Sequence, residues 1–179
     1  CLFVKQYDPE KLTFNNNENI AVLNAPCGNV IIELYPEIAP NSVKRFKLLI
    51  KKGEYDNVAF HRVIKDTLVQ AGDLEFGKKN NLNYTFIGTG KSGYGTINSE
   101  LDHPFDFKAG SVALARSNQK NSEDSQFFIL LVDAPLYEGE YSPVGKVIYG
   151  LDVLKKIKFD EKVEYVLRPD FINTIQLLK

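Results

Sequence analysis

Apolar and polar residues alternate in short bursts along most of this chain, a pattern that predicts many strands and few helices. After the polar, turn-like stretch "FNNNEN" (14–19), "IAVLNA" and "NVIIELY" read as two strands joined by a turn at Pro26 to Asn29. Pro40-Asn41-Ser42 then opens a helix, with Asn41 placed as its N-cap and Gly53 as its stop. Val43, Phe46, Leu49 and Ile50 recur on one face at helical spacing. "VAFHRVI" and "LVQAG" are short β segments separated by Lys65-Asp66-Thr67. Residues 74–101, rich in Gly, Asn, Lys and Ser, predict a long ordered loop. "SVALA", "SQFFILLV", "SPVGKVIYG" and "FINTIQLL" add further strands, and residues 151–157 a short second helix. About eight strands separated by turn residues predict a mainly β fold, a closed eight-stranded antiparallel β-barrel whose open ends are capped by two α-helices. Residues 1–18 read as an N-terminal arm and residues 19–179 as one domain, without repeats or linkers.

Composition narrows the function classes. At 179 residues, 44% hydrophobic and 25% charged, the chain can bury a single full core. Lys plus Arg is 22 and Asp plus Glu is 23, so no basic excess argues for nucleic acid. No apolar run approaches the roughly 20 residues of a transmembrane span. Cys1 and Cys27 are too few for a disulfide framework and match no zinc spacing; Cys27 reads as an incidental thiol, and nothing in the sequence supports a bridge between them. The chain holds no methionine, even at position 1, which leads to the expectation of a removed leader and a periplasmic or otherwise exported location, the cytoplasm being the alternative. Cys1 is then either the residue left by lipoprotein processing or simply the point where order begins.

Most catalytic constellations fail on inspection. "GTGKSG" (88–93) lacks the first glycine of a phosphate loop, since Thr85 stands there. His61 and His103 are far apart in sequence, so no metal cluster is indicated. No Ser occupies a G-x-S-x-G turn. Asp73 and Glu75 read as solvated loop acids. What remains has no nucleophile. Strand alternation places Phe60, Arg62 and Ile64 on one face, Leu68 with Gln70, and Gln126 with Phe128. Such a set lines a shallow site with apolar side chains, neutral amides and one fixed cation. The competing reading makes Arg62 a core-edge cation paired to an acid, because a buried guanidinium is costly unless paired.

The motifs "FHRVI" and "QAGD", then "GSVALARS", "SQFFI" and "YSPVGKV", occur in this order between about residues 19 and 157. Together they resemble the signature of the cyclophilin-type peptidyl-prolyl cis-trans isomerases. The lengths of the 74–101 excursion and of the "ARSNQKNSEDSQFF" loop resemble bacterial members. The resemblance implies the barrel described above and accelerated rotation about X–Pro bonds of flexible polypeptides, with no cofactor and no covalent intermediate; the sequence does not show an oligomeric state, and a monomer is the default expectation. It casts Arg62 as the catalytic arginine, Gln70 as the amide that orients it, and Phe128 and Leu68 as floor and wall of a proline pocket. Gln126 is another site-lining amide, and the backbone at Ala115 and Arg116 the edge that pairs with substrate. Phe60 belongs to the same lining, and His61 becomes a supporting, hydrogen-bonded histidine.

The departures carry expectations of their own. Lys65-Asp66-Thr67 stands where the family has Pro-Gly-Phe, so Thr67 removes an aromatic wall and should leave the pocket more open and wetter, unless Tyr137, in place of the usual Leu, fills part of the gap. Leu136 stands where animal members carry Trp, which predicts weak cyclosporin binding. Tyr141 replaces the active-site His, as in bacterial relatives. The alternative function is a proline-peptide-binding chaperone or adaptor of low turnover.

Overall fold

Apart from Val22, the apolar residues of 20–25 and 28–34 are all buried, and the two segments fold back on each other as the first hairpin of the computed structural model, which describes residues 1–179. Its strands are β1 (Ile20–Ala25) and β2 (Gly28–Leu34); β3 (Arg62–Ile64), β4 (Leu68–Ala71), β5 (Ser111–Leu114), β6 (Phe127–Leu130), β7 (Pro143–Tyr149) and β8 (Thr174–Leu177) follow. The eight form one antiparallel sheet in the order β3-β4-β6-β5-β7-β2-β1-β8, curled into a half-barrel. The closed barrel expected from the strand pattern is not formed, because β3 and β8 share no ladder. An irregular segment, 164–173, spans the gap instead. Val63 N–H donates to the Glu164 carbonyl (2.9 Å), Val166 N–H to His61 (3.0 Å) and Phe60 N–H to Asp170 (2.9 Å), while Asn173 N–H reaches Asn24 on β1 (2.9 Å). Arg168 at φ 55° and Pro169, which has no N–H, prevent this segment from continuing as a strand.

Helix α1 (Pro40–Lys51) buries Val43, Phe46, Leu49 and Ile50, as their spacing predicts, and packs on β7 and β8. Its N-cap is Ala39, not Asn41. The Glu100 carboxylate supplies the cap from a distant loop, accepting from Asn41 N–H (2.9 Å) and Ser42 N–H (2.7 Å) at the positive end of the helix dipole. Phe46, Tyr55 and Phe127 meet with ring centroids 5.2–5.3 Å apart beneath the sheet. Helix α2 (Leu151–Leu154) packs on β2 and is shorter than the 151–157 read from sequence. No helix is long and apolar enough to cross a membrane.

Cys27 is not an incidental thiol: it is disulfide-bonded to Cys1, which ties the arm to the β1–β2 turn. Gln6 Nε2 donates to the Cys27 carbonyl (2.9 Å) and Lys5 N–H to Asp152 (3.2 Å), so the arm is held at several points. A bridged Cys1 sulfur is not open to thioether lipidation.

Candidate active site

Strand register assembles the site. Arg62 on β3 is paired with Gln70 on β4, Gln70 with Phe128 on β6, and Phe128 with Ala113 on β5. Residues paired across strands share a face, so these side chains form one row across four strands. Above the row lies a cleft of about 460 Å³, lined among others by Arg62, Leu68, Gln70, Ala115, Arg116, Gln126, Phe128, Tyr137 and Tyr141.

A hydrogen-bonded relay fixes the polar half. Arg62 Nη1 donates to Gln70 Oε1 (3.1 Å), Gln70 Nε2 to Gln126 Oε1 (3.1 Å), and Gln126 Nε2 to the carbonyls of Gly88 (3.0 Å) and Gly90 (3.2 Å). Arg62 Nε and Nη2 both reach Glu164 Oε2 at 2.7 Å. Both readings of Arg62 thus hold together: it is paired to an acid, yet it faces the cleft. Glu164 is placed by the backbone pairing of 164–166 with 61–63, and the same pairing brings Tyr165 to the cleft wall beside Gly88.

The apolar half is an aromatic notch. Phe128 meets Tyr137 and Tyr141 edge-on, with centroids 5.7 and 5.1 Å apart, and the two tyrosines lie 4.9 Å from each other. Leu68 is buried beside Phe128. Arg116 lies 5.1 Å over the Tyr141 ring and donates from Nε to the Glu140 carbonyl (3.0 Å) and from Nη2 to its carboxylate (3.2 Å). The Arg116 backbone N–H has no partner within the chain, so an extended peptide can pair with it.

Four residues named from the sequence lie outside this cleft. Phe60 is fully buried in the core, because β3 begins only at Arg62 and strand alternation does not extend back to it. Thr67 does not line the cleft; its hydroxyl donates to the Lys65 carbonyl (3.1 Å), and the notch is walled by Tyr137 and not left open. Leu136 is 89% exposed and points away from the lining. His61 is buried, but neither ring nitrogen meets hydrogen-bond geometry with a neighbour, contrary to the supporting role expected of it. Burial pushes its pKa down to about 4, and the nearby Asp73 carboxylate opposes that only in part.

Asp73 is a further correction. It is fully buried, accepting from the N–H groups of Glu75 (3.1 Å), Phe76 (2.8 Å), Gly88 (2.6 Å) and Gly90 (3.0 Å). It therefore shapes the loop whose carbonyls hold Gln126. A Cβ on Gly90 would stand 1.9 Å from its Oδ1, so glycine is required there. Asp124, which also lines the cleft, is bound to Arg45 of α1 at 2.6 Å. Sequence reasoning missed Glu164, Tyr165 and Glu140, which lie in stretches with no periodic signal.

Comparison with known proteins points to one family. The family model for "cyclophilin type peptidyl-prolyl cis-trans isomerase/CLD" matches residues 20–176. A probable peptidyl-prolyl cis-trans isomerase of Brucella suis is 40% identical over 158 residues, covering 87% of this chain and 80% of that protein. Peptidyl-prolyl cis-trans isomerase ppi1 of Schizosaccharomyces pombe is 37% identical over 143 residues, covering 75% and 82%. Among solved structures, a cyclophilin-type isomerase of Cryptosporidium parvum, crystallised in the presence of the dipeptide Ala-Pro, superposes with a TM-score of 0.76 at 28% identity, covering 89% of this chain and 99% of that one. The cyclophilin AquaCyp293 of Hirschia baltica shares the fold, with a TM-score of 0.75 at 23% identity over 90% of this chain and 74% of that one. With a family model spanning nearly its whole length and relatives at 40% identity, this chain belongs to the cyclophilin-type peptidyl-prolyl cis-trans isomerases.

Proposed function

We propose that Arg62 carries X–Pro isomerisation in this chain by hydrogen-bonding the prolyl nitrogen in the twisted state. Resonance gives the peptide bond a barrier of about 18–20 kcal/mol, and an X–Pro bond unaided exchanges over roughly tens to hundreds of seconds. Twisting breaks the resonance and leaves a lone pair on nitrogen. A fixed N–H aimed there stabilises the twisted state more than either planar one, which is the requirement for catalysis. Reaching milliseconds takes roughly 10⁴-fold, or about 5.5 kcal/mol.

The observation that carries this assignment is the guanidinium held by Gln70 and Glu164 in one row with Phe128. The proline ring would seat among Phe128, Leu68, Tyr137 and Tyr141, and Arg116 N–H would pair with the substrate backbone. The Ala-Pro present with the Cryptosporidium neighbour is the chemistry such a notch would take. Substrates are then proline-containing segments of flexible polypeptides, acted on by a monomer. The exposed Leu136, which carries no indole donor, supports weak cyclosporin binding. The Cys1–Cys27 disulfide supports an exported, oxidising location, since such bridges persist there.

Exchange NMR on a proline peptide tests the assignment: Arg62→Ala should slow catalysed exchange about 100-fold, as loss of one transition-state donor does. Equal exchange in wild type and variant removes Arg62 from the mechanism. One observation favours a low-turnover binding module instead, namely that Glu164 occupies two of the three guanidinium nitrogens. Peptide binding without catalysed exchange in the wild type would establish that function.

A further inference from the structure

A second groove, of about 760 Å³, lies between α1 and the 96–98 segment. One ion pair separates it from the active-site cleft: Asp124 lines the cleft, and Arg45, to which it is bound, lines the groove. Lys44, Lys47, Leu48 and Lys51 follow each other at helical spacing along α1, beside the buried stripe of Val43, Phe46 and Ile50. All four line the groove. Leu48 is 37% exposed, an apolar side chain set among three cations.

No acid lines this groove, although the whole chain carries 23 acidic residues against 22 basic ones. None of the three lysines has an ion pair. Lys47 Nζ donates to Asn19 Oδ1 (2.6 Å), a neutral acceptor. Burial, and then the Lys51 cation, lower the Lys47 pKa, and Glu18, outside the groove, opposes them only in part. Glu100, at the start of α1, spends both carboxylate oxygens on Asn41 and Ser42. The helical wall of the groove therefore holds positive charge that nothing in the chain answers.

The opposite wall is backbone. Ile97 forms an isolated antiparallel bridge with Glu123, its N–H donating to the Glu123 carbonyl (2.9 Å). Thr96 and Asn98, exposed on either side of it, have no backbone partner within the chain. Backbone groups of successive residues in an extended segment point to opposite sides, so 96–98 presents an unused edge. An extended peptide can pair with such an edge. A flat lipid surface would meet the lysines and leave the edge unused.

We propose that this groove docks a short acidic segment of a partner polypeptide, extended along residues 96–98, with an apolar residue seated on Leu48 and carboxylates facing Lys44, Lys47 and Lys51. The docking lies outside the isomerase cleft and does not depend on how Arg62 acts. An exposed ion pair is weak, so each lysine contributes about three-fold to the affinity. Because the pairs are solvated, salt weakens the binding.

The test titrates the full chain, labelled with ¹⁵N, with three proline-free peptides: acetyl-Asp-Glu-Leu-Glu-Asp-amide, its neutral analogue acetyl-Asn-Gln-Leu-Gln-Asn-amide, and the glycine-centred acetyl-Asp-Glu-Gly-Glu-Asp-amide. The leucine-centred acidic peptide should shift the amides of Thr96, Asn98 and residues 44–51 and bind tightest, the glycine-centred one should bind more weakly, and the neutral one weakest. The affinity should fall between about 20 and about 500 mM salt as the Debye length shortens. In Lys44→Glu/Lys51→Glu, whose two sites are exposed, it should drop at least about ten-fold while catalysed exchange of a proline peptide stays at the wild-type rate. Equal binding of the acidic and neutral peptides, equal binding of the leucine and glycine peptides, or binding that survives the double variant overturns the proposal. So do shifts centred on Lys91 and Arg62, which would assign the acidic peptide to the cleft. Co-sedimentation with phosphatidylglycerol vesicles, with no shift from the acidic peptide, would overturn it in favour of a membrane surface.

Discussion

Arg45 and Arg62 each hold a carboxylate oxygen at nearly the same distance, 2.6 Å to Asp124 and 2.7 Å to Glu164. Their surroundings make them opposites. The Arg45 and Asp124 side chains are 10% and 5% exposed, and further hydrogen bonds hold both: Arg45 donates to Gly95 (2.7 Å) and Tyr94 (3.2 Å), and Asp124 accepts from Ser92 N–H (2.8 Å) and from the Ser92 hydroxyl. That pair pins the 92–95 loop to α1 beneath the cleft. Arg62 keeps its place in the cleft wall, and its carboxylate lies half in water. Distance alone therefore does not separate a structural cation from a working one. The dielectric around the pair and the donors it leaves free do.

The contrast can be broken most forcefully at its buried end. Asp124→Ala leaves Arg45 enclosed without its counter-ion and should cost about 3–5 kcal/mol by denaturant unfolding. A loss under about 1 kcal/mol would mean that water reaches the pair and that the two arginines do not differ in kind. His61 adds a third case, a sealed titratable group whose ring nitrogens meet no hydrogen-bond geometry. Its pKa is lowered to about 4 in the folded protein against about 6.5 unfolded, so the unfolded state takes up the proton first. Stability should be complete above about pH 6.5 and fall as pH drops toward 4, by roughly 3 kcal/mol in total. His61→Leu should flatten that stretch of the stability–pH curve, and an unchanged slope would assign it to other groups.

At the open end, Arg62→Ala should separate function from stability: the roughly 100-fold loss of catalysed exchange should come with an unfolding free energy changed by less than about 1 kcal/mol. A large stability loss would class Arg62 with Arg45. The smallest effect is expected for Glu164→Ala, within about 1 kcal/mol of wild type in thermal or denaturant unfolding and nearer to it at high salt.

The residues of the floor were legible in the sequence and their neighbours were not. Period-two alternation identified which of Leu68, Gln70, Gln126 and Phe128 share a face within a strand, and the family motifs supplied the register that alternation cannot. Phe60 was misplaced because alternation was carried past the start of β3 into a stretch held by Asp170 and Gly77. The closed barrel was over-read for a related reason: strand count says nothing about whether first and last strands meet. Glu164 gave no local signal, since its role depends on a contact 102 residues away. The Cys1–Cys27 bridge joins positions 26 apart in a chain with no cysteine pattern. Asp73 was more accessible to inspection. The glycines at 77, 88 and 90 mark where the backbone closes around it, and a buried acid is what such a crowded loop can solvate with its own N–H groups.

The irregular span between β3 and β8 has one more consequence. A ladder there would tie every residue of the cleft's outer wall to the pleat, so that one insertion would turn each following side chain to the wrong side. Segment 164–173 is instead fastened at scattered points, and its neighbours on β3 keep their alignment with β4 whatever it carries. Exposed side chains beyond Glu164, such as Leu167 and Arg168, can therefore be altered while the row from Arg62 to Ala113 stays put. The fold separates the part that must be placed to a fraction of an ångström from the part that can be rewritten to suit a different client.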